Sequence, residues 1–307
     1  MSTLDTKLLI VAGCTGSGKT SVAVKLAKRF GGEIVGADSV QVYRGFDIGS
    51  AKPSEEELEG VPHHLLDIVN PDENIDAMDY ARRADAVISD IRARERLPIL
   101  VGGTGLWIRA LVRGLVELPP VDAELRAGLL AEGERDGREA LHKRLQTCDP
   151  ISAGNIHPRD LVRVSRALEV FEQTGKPLGE LRAAHALGSD RYDNLFAVIA
   201  HETDHDARLD ARREQMLSAG WRAETEALLA KWSRSARPFG SVGYAQMVRL
   251  IDGELRDEEM RATARKATRV YARRQRTWFG SEPGVDWRPT RGALVSDSGL
   301  ARIEAWL

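Results

Sequence analysis

Residues Gly13-Cys14-Thr15-Gly16-Ser17-Gly18-Lys19-Thr20 reproduce in full the spacing G-x-x-x-x-G-K-[ST], whose chemistry is that of a phosphate cradle. Its glycines let backbone N–H groups converge on phosphate oxygens, and a helix N-terminus behind them adds partial positive charge. Lys19 neutralises terminal phosphate oxygens, and the Thr20 hydroxyl is placed to hold Mg²⁺. The loop by itself permits a nucleotide such as ATP, but nucleotide hydrolases usually carry an aspartate at the end of a later apolar strand for the metal. Here the later apolar runs end in Gly102-Gly103-Thr104 and in His201, and the nearest acidic candidate is Asp38. Aspartates are common at strand ends as turn formers or metal ligands, so residue type leaves the role of Asp38 open. Thr104 follows two glycines and opens a helical stretch, where a threonine also serves as an N-cap. Arg208 and Arg212, four residues apart, share one helix face; exposed arginines so spaced are by default solvated.

A cradle of this kind must lie between a strand and a helix. Lys7 to Gly13 is a continuous apolar run and Ser21 to Phe30 has helical periodicity, which meets that requirement. Further strand-like runs span Glu33 to Ala37 and Pro98 to Val101, with a helical stretch from about Ala77 to Arg96 between them. The alternation predicts an α/β fold, a P-loop NTPase-like parallel sheet flanked by helices, with loops gathered at its carboxyl edge. After Leu118-Pro119-Pro120, the stretch from Val121 to about Ala186 holds helical segments and turn signals but no convincing strand, and is read as a helical insertion. A strand then returns at Asn194 to Ala200, followed by helices over His205 to Ala219, Trp221 to Trp232 and Asp257 to Phe279. The expected division is residues 1–118 and 189–307 for the core and 119–188 for the insertion.

Composition narrows the function class. The formal net charge is −2, so any nucleic-acid binding must come from local clusters. Cys14 and Cys148 are the two cysteines and lack zinc-ligand spacing, which argues against a disulfide framework or a zinc module. No apolar run approaches the ~18 residues that span a bilayer; a cytoplasmic protein without membrane attachment is expected. One local cluster stands out: from Arg261 to Arg276 there are seven basic residues and no acidic one, a stripe able to track phosphates, with Trp278 and Phe279 at its end to stack or to pack. In the insertion Arg159, Arg163 and Arg166 fall close to one helix face. His157 before Pro158 reads as a turn or capping residue, and His63-His64 lacks metal spacing.

Beyond the cradle, Asp38-Ser39-Val40-Gln41-Val42-Tyr43-Arg44-Gly45, Val101-Gly102-Gly103-Thr104-Gly105, Ile156-His157-Pro158-Arg159-Asp160, Val242-Gly243-Tyr244 and Arg274-Gln275-Arg276-Thr277-Trp278-Phe279 stand in order along the chain. With these blocks the sequence resembles the bacterial tRNA dimethylallyltransferases, also called tRNA isopentenyltransferases, over nearly its whole length. The resemblance implies transfer of a dimethylallyl group from its diphosphate to the exocyclic N6 amine of the adenosine 3′-adjacent to the anticodon, with Mg²⁺ as cofactor. It implies that residues 13–20 grip the diphosphate of dimethylallyl diphosphate, that Asp38 accepts the proton of the amine, that Thr104 touches the amine or a diphosphate oxygen, and that Arg208 reaches the diphosphate. It further implies tRNA contacts from Ser39, Val40, Gln41, Arg126, Val162, Arg163, Val164, Ser165, Arg166, Val242, Gly243, Tyr244, Arg273, Arg274, Gln275, Arg276, Thr277 and Trp278. The expected partners are the tRNA anticodon loop and the prenyl donor, with a monomeric enzyme and no obligate protein partner. Gly240 and Ala245 occupy positions where the family commonly has basic residues, so this loop offers less charge to RNA. Rival readings are a small-molecule kinase, a free-nucleotide isopentenyltransferase and a nucleotide-gated RNA-binding module; the last leaves the Asp38 and Thr104 blocks without a role.

Overall fold

The computed structural model describes residues 6–185, 190–285 and 287–307. Two compact units divide the chain: Met1–Val112 with Asp190–Leu307, and Arg113–Ser189. The first break comes before the expected Leu118-Pro119-Pro120. Helix Gly105–Arg113 (α4) runs directly into Gly114 at φ 75°, a left-handed conformation that glycine adopts without steric cost. The predicted end of the insertion near Ala186 and the boundary at residues 188 and 189 lie outside the described residues.

The larger unit is built on five strands, β1 (Lys7–Ala12), β2 (Gly32–Ala37), β3 (His63–His64), β4 (Leu97–Gly102) and β5 (Asp193–Val198), in the order β3-β2-β4-β1-β5. All neighbouring pairs are parallel. Leu8, Leu9, Ile10 and Val11 are fully buried, as a central parallel strand covered on both faces requires. The helix after the cradle, α1 (Lys19–Phe30), lies between two left-handed glycines, Gly18 and Gly31, and buries Val22, Val24 and Leu26 in the same cluster as Leu9, Val11, Ile34 and Ile99. After α2 (Glu55–Leu58), α3 (Ala77–Ala93) begins at a capping box of Asp76 and Asp79. It ends short of the predicted Arg96 because Glu95 turns to φ 57° and leads the chain into β4.

Among its described residues the smaller unit holds helices and no strand: α5 (Ala123–Arg135), α6 (Arg138–Cys148), α7 (Pro150–Asn155), α8 (Leu161–Thr174) and α9 (Leu178–His185). Leu129, Leu141, Leu145, Val164, Leu168 and Leu178 form its core. Fully buried Asp149 caps α7 through Ser152 N and also accepts from Gly179 N, both at 2.9 Å.

The larger unit resumes with β5, then α10 (His205–Ser218), α11 (Trp221–Leu229), a short 3-10 turn at Arg237–Gly240, α12 (Tyr244–Ile251), α13 (Asp257–Ser281), α14 (Arg291–Leu294) and α15 (Asp297–Trp306). The carboxyl-terminal segment extends the sheet edge, where Val198 N donates to Trp287 O at 3.0 Å and Ala200 N to Pro289 O at 2.8 Å. Among the described residues no helix is long and apolar enough to cross a membrane.

Candidate functional site

Three adjacent parallel strands, β2, β4 and β1, deliver Asp38, Thr104 and the phosphate loop to one edge of the sheet, the edge at which open α/β sheets bind ligands. Their ends are tied to one another. Gly13 N donates to Gly102 O at 3.3 Å, and Thr104 N donates to Ala37 O at 3.2 Å. Ser39 N donates to the Thr104 hydroxyl at 3.1 Å. The tie depends on close approach: a Cβ on Gly102 would fall 2.2 Å from Ala37 O.

Asp38 divides its carboxylate between two tasks. One oxygen accepts from Val40 N at 2.9 Å and Gln41 N at 3.3 Å, fixing the turn after β2 as an Asx turn does. The carboxylate also lines two adjoining cavities of about 310 and 510 Å³, which share Thr15, Lys19, Asp38, Ser50 and Arg212. The larger is lined by the loop itself, with Gly16, Gly18, Thr20 and Arg208. Leu209, Met216, Trp221, Tyr271 and Gln275 contribute to the smaller.

Two cations meet Asp38 there. Burial pushes the Lys19 ammonium pKa down, Asp38 opposes that shift, and Arg212 reinforces it. Burial likewise pushes the Arg212 guanidinium down against the pull of Asp38. Arg212 donates to Ala51 O at 3.3 Å, and no carboxylate of the described residues lies within salt-bridge distance of it. Glu57, exposed and also lining the larger cavity, pulls on Arg212 as well; neither it nor Asp38 is within salt-bridge distance of Arg212, which leaves the guanidinium available to an anion. Arg208, the arginine preferred in the sequence reading, is otherwise engaged: it pairs with Glu202 at 3.2 Å and with Asp204, and donates to Gly16 O at 3.2 Å. It therefore holds the loop backbone at Gly16 and also borders the larger cavity.

Cys14 is buried, and burial raises its thiol pKa despite the opposing charge of Lys19, so it is a poor nucleophile. His205 Nε2 lies 2.8 Å from Thr15 O and 3.4 Å from Cys14 Sγ. Thr20 stands at the second position of α1. Among the described residues no group of three His, Cys, Asp or Glu side chains could hold a metal. A Mg²⁺ here would have Thr20 from the chain and draw its other ligands from phosphate and water, the usual pattern for a small hard cation at a phosphate site.

Several residues expected at an RNA surface are placed otherwise. Tyr244 is fully buried, with its hydroxyl donating to Glu224 at 2.6 Å. Burial, followed by the neighbouring Glu224 charge, raises its pKa and keeps that proton in place. Gly243 is buried beside it at φ 95°, while Val242 is exposed. In α8, Val164 and Ser165 face the core of the helical unit; Val162 and Arg163 point to solvent. Arg166 and Arg126 both pair with fully buried Glu169 at 2.8 Å. Trp278 packs on Gly105, whose added Cβ would lie 2.2 Å from the ring, and Arg109 lies over the ring at 4.2 Å from its centroid. Phe279 is buried. His157 Nδ1 accepts from Arg159 N at 3.1 Å, the turn role expected of it.

The basic stripe splits in two. Arg261 pairs with Asp257 and Glu214, Arg265 with Asp210, and Arg269 with Asp206 and Asp210. Lys266, Arg273, Arg274, Arg276 and Thr277 are exposed, and these four cations have no carboxylate partner among the described residues. Gln275, between them, is turned inward: Thr15 N donates to its Oε1 and its Nε2 donates to Gly103 O, both at 2.8 Å.

Sequence reasoning missed Glu224 and Tyr271. Glu224 accepts from Asp47 N, Ile48 N and Gly49 N at 3.0, 2.6 and 3.2 Å, holding the loop that brings Gly49 and Ser50 to the cavity; a lone glutamate in a helix gives no signal of this. Tyr271 interacts with Thr104 and feels the charge of Asp38. Its spacing was informative, since Ala264, Thr268, Tyr271 and Gln275 recur at helical intervals and all line the smaller cavity.

Residues 41–282 match the family model of the IPP transferases. The chain belongs to the IPP transferase family. Within that family it is 50% identical over 282 residues to the tRNA dimethylallyltransferase of Anaeromyxobacter dehalogenans strain 2CP-C, covering 92% of this chain and 94% of that one. The crystal structure of the full-length tRNA isopentenylpyrophosphate transferase from Bacillus halodurans superposes with a TM-score of 0.69 at 36% identity, covering 98% of this chain and 95% of that one. A eukaryotic dimethylallyltransferase described as acting on tRNA gives a TM-score of 0.74 at 28% identity, covering 90% of this chain and 70% of the other. The parallel sheet with flanking helices is thus the fold of IPP transferases, as the alternation of strands and helices predicted.

Proposed function

We propose that this protein transfers the dimethylallyl group of dimethylallyl diphosphate to the N6 amine of the adenosine immediately 3′ of the anticodon in tRNA, releasing diphosphate. The observation that carries this reading is the shared lining of the two cavities: a phosphate loop with two cations and an acidic group meet at one place. In the reaction the N6–C1 bond forms as the C1–O bond to diphosphate breaks, and the amine proton passes to Asp38. An aromatic amine is a weak nucleophile, and a carboxylate within hydrogen-bond reach accepts its proton as the new bond grows. The leaving diphosphate gains charge in the transition state, where the loop amides, Lys19 and Arg212 stabilise it more than in the ground state. Mg²⁺, held by Thr20 and the diphosphate, supplies further charge neutralisation when bound. Thr104, fixed by Ser39 N and beside Tyr271, orients the amine. The acceptor base leaves its stack to reach Asp38, which costs least in an unpaired loop. Arg273, Arg274, Arg276 and Arg163 are the exposed cations assigned to the RNA backbone. A monomeric enzyme, and a cytoplasmic one because the tRNA acceptor is found there, belongs to this proposal.

The test offers labelled dimethylallyl diphosphate and Mg²⁺ with either tRNA or AMP. Label recovered on N6 of a tRNA adenosine is the expected result. Label entering AMP and not tRNA would replace this reading with that of a free-nucleotide isopentenyltransferase.

A further inference from the structure

We propose that Gln275 is a positioning residue that couples RNA bound on the outer face of α13 to the diphosphate cradle, an inference that rests on the function proposed above. Gln275 is 6% exposed, and both ends of its amide are used. Its Oε1 takes the N–H of Thr15, inside the phosphate loop after β1; its Nε2 holds the carbonyl of Gly103, directly before Thr104 at the end of β4. One side chain thereby clamps the loop that grips the donor to the loop that meets the acceptor. The fit is close: a Cβ on Gly103 would lie 2.4 Å from Gln275 Nε2, so the strand end is shaped around this amide.

The helix that carries Gln275 has two faces with different tasks. Ala264, Thr268, Tyr271 and Gln275 wall the smaller cavity. Arg273, Arg274 and Arg276 point outward with no carboxylate partner among the described residues, whereas Arg261, Arg265 and Arg269 are anchored to acidic residues on or beside α10. Three arginines in the first half of α13 are thus held by ion pairs, while Lys266 among them stays exposed. The turn carrying Gln275 has its unpaired cations immediately before and after the clamp. An RNA backbone drawing on those arginines acts on the same helical turn, and the clamp passes that load to Thr15 and Gly103. A backbone N–H of the phosphate loop is in this arrangement committed to Gln275 and not to phosphate, so the geometry of the cradle depends on where α13 stands. Binding free energies linked in this way are reciprocal: RNA must change donor affinity by the factor by which donor changes RNA affinity.

The experiment measures the affinity of the full chain for a non-transferable thio-analogue of dimethylallyl diphosphate, with and without an anticodon stem-loop RNA. It compares the parent with Gln275→Met, which removes both bonds at similar volume, and Gln275→Glu, which keeps the acceptor and removes the donor. Thermal melting of each variant separates loss of fold from loss of coupling. The parent is expected to change its donor affinity by about fivefold or more when RNA is added. In Gln275→Met that ratio falls to within about twofold of unity while RNA still binds, and Gln275→Glu lies between. A parent ratio of one, or the full parent ratio kept in both variants, overturns the proposal. Absence of RNA binding to the parent overturns the functional reading beneath it, which separates the two failures.

Discussion

At the scale of single residues, Asp38 carries both a structural and a proposed chemical duty, and the choice of substitution decides which is tested. Alanine would release Val40 N and Gln41 N as well as remove the carboxylate. Asn keeps an acceptor oxygen for the turn and cannot take a proton at neutral pH. Asp38→Asn is therefore expected to lower single-turnover prenyl transfer by roughly 10²–10⁴-fold, the range for a positioned general base, with RNA affinity within about threefold of the parent. Transfer rates at the parent level would remove Asp38 from the role of base. The neighbouring cations illustrate the same division: Arg208 is occupied by Glu202, Asp204 and Gly16 O, whereas Arg212 faces the shared cavity.

At the scale of elements, the strands that deliver the site are held in register partly by a charge at their far end. Glu33 in β2 is buried; it accepts from His64 of β3 at 2.7 Å and from Arg94 at the end of α3. Burial alone raises its carboxyl pKa, but the hydrogen bonds from His64 and Arg94 outweigh it, and the net shift is downward. A carboxyl depressed on folding contributes stability that is fully present above its unfolded pKa of about 4.3 and is lost as pH falls through the lower folded value. Glu33→Gln is accordingly expected to cost about 1.5–3 kcal/mol near neutral pH, the range for hydrogen bonds to charged groups, and little at pH values below the folded pKa. Urea unfolding between neutral pH and about pH 3 reads this directly. Parallel pH profiles for the two proteins would show that Glu33 does not set the acid limb.

At the scale of the whole molecule, a chain with net charge −2 meets a polyanion through a small number of unpaired cations. Arg273 and Arg274 line neither of the two cavities that Asp38 borders, so in the proposed reaction they bind the acceptor without stabilising the transition state. Replacing Arg273 and Arg274 together with Ala is expected to weaken RNA binding and to lower the slope of log affinity against log salt by up to about 1.4, at about 0.7 per single-strand contact. Turnover at saturating RNA should change little. An unchanged affinity and slope would move the main RNA contact to the insertion carrying Arg163.

What the sequence determined by itself was local or periodic. The phosphate loop is eight contiguous residues whose function depends on its own backbone, and alternation of apolar strands with helical stretches was enough to call a parallel sheet with Asp38 and Gly102-Gly103-Thr104 at its carboxyl edge. The family resemblance rested on the same contiguous blocks. What only the tertiary structure decided was the direction and partner of side chains within those blocks. Gln275, Tyr244 and Trp278 stood in segments expected to meet RNA, yet they are spent on Thr15 and Gly103, on Glu224, and on Gly105. Val164 and Ser165 turned into a core that exists only once α5, α6 and α8 pack together. Three of the seven basic residues of the stripe lost their availability to carboxylates some fifty residues earlier in the chain, in α10. Charge and polarity are written in sequence, but whether a charged group is available to a ligand depends on which opposite charge the fold brings within about 4 Å, and that distance exists only in three dimensions.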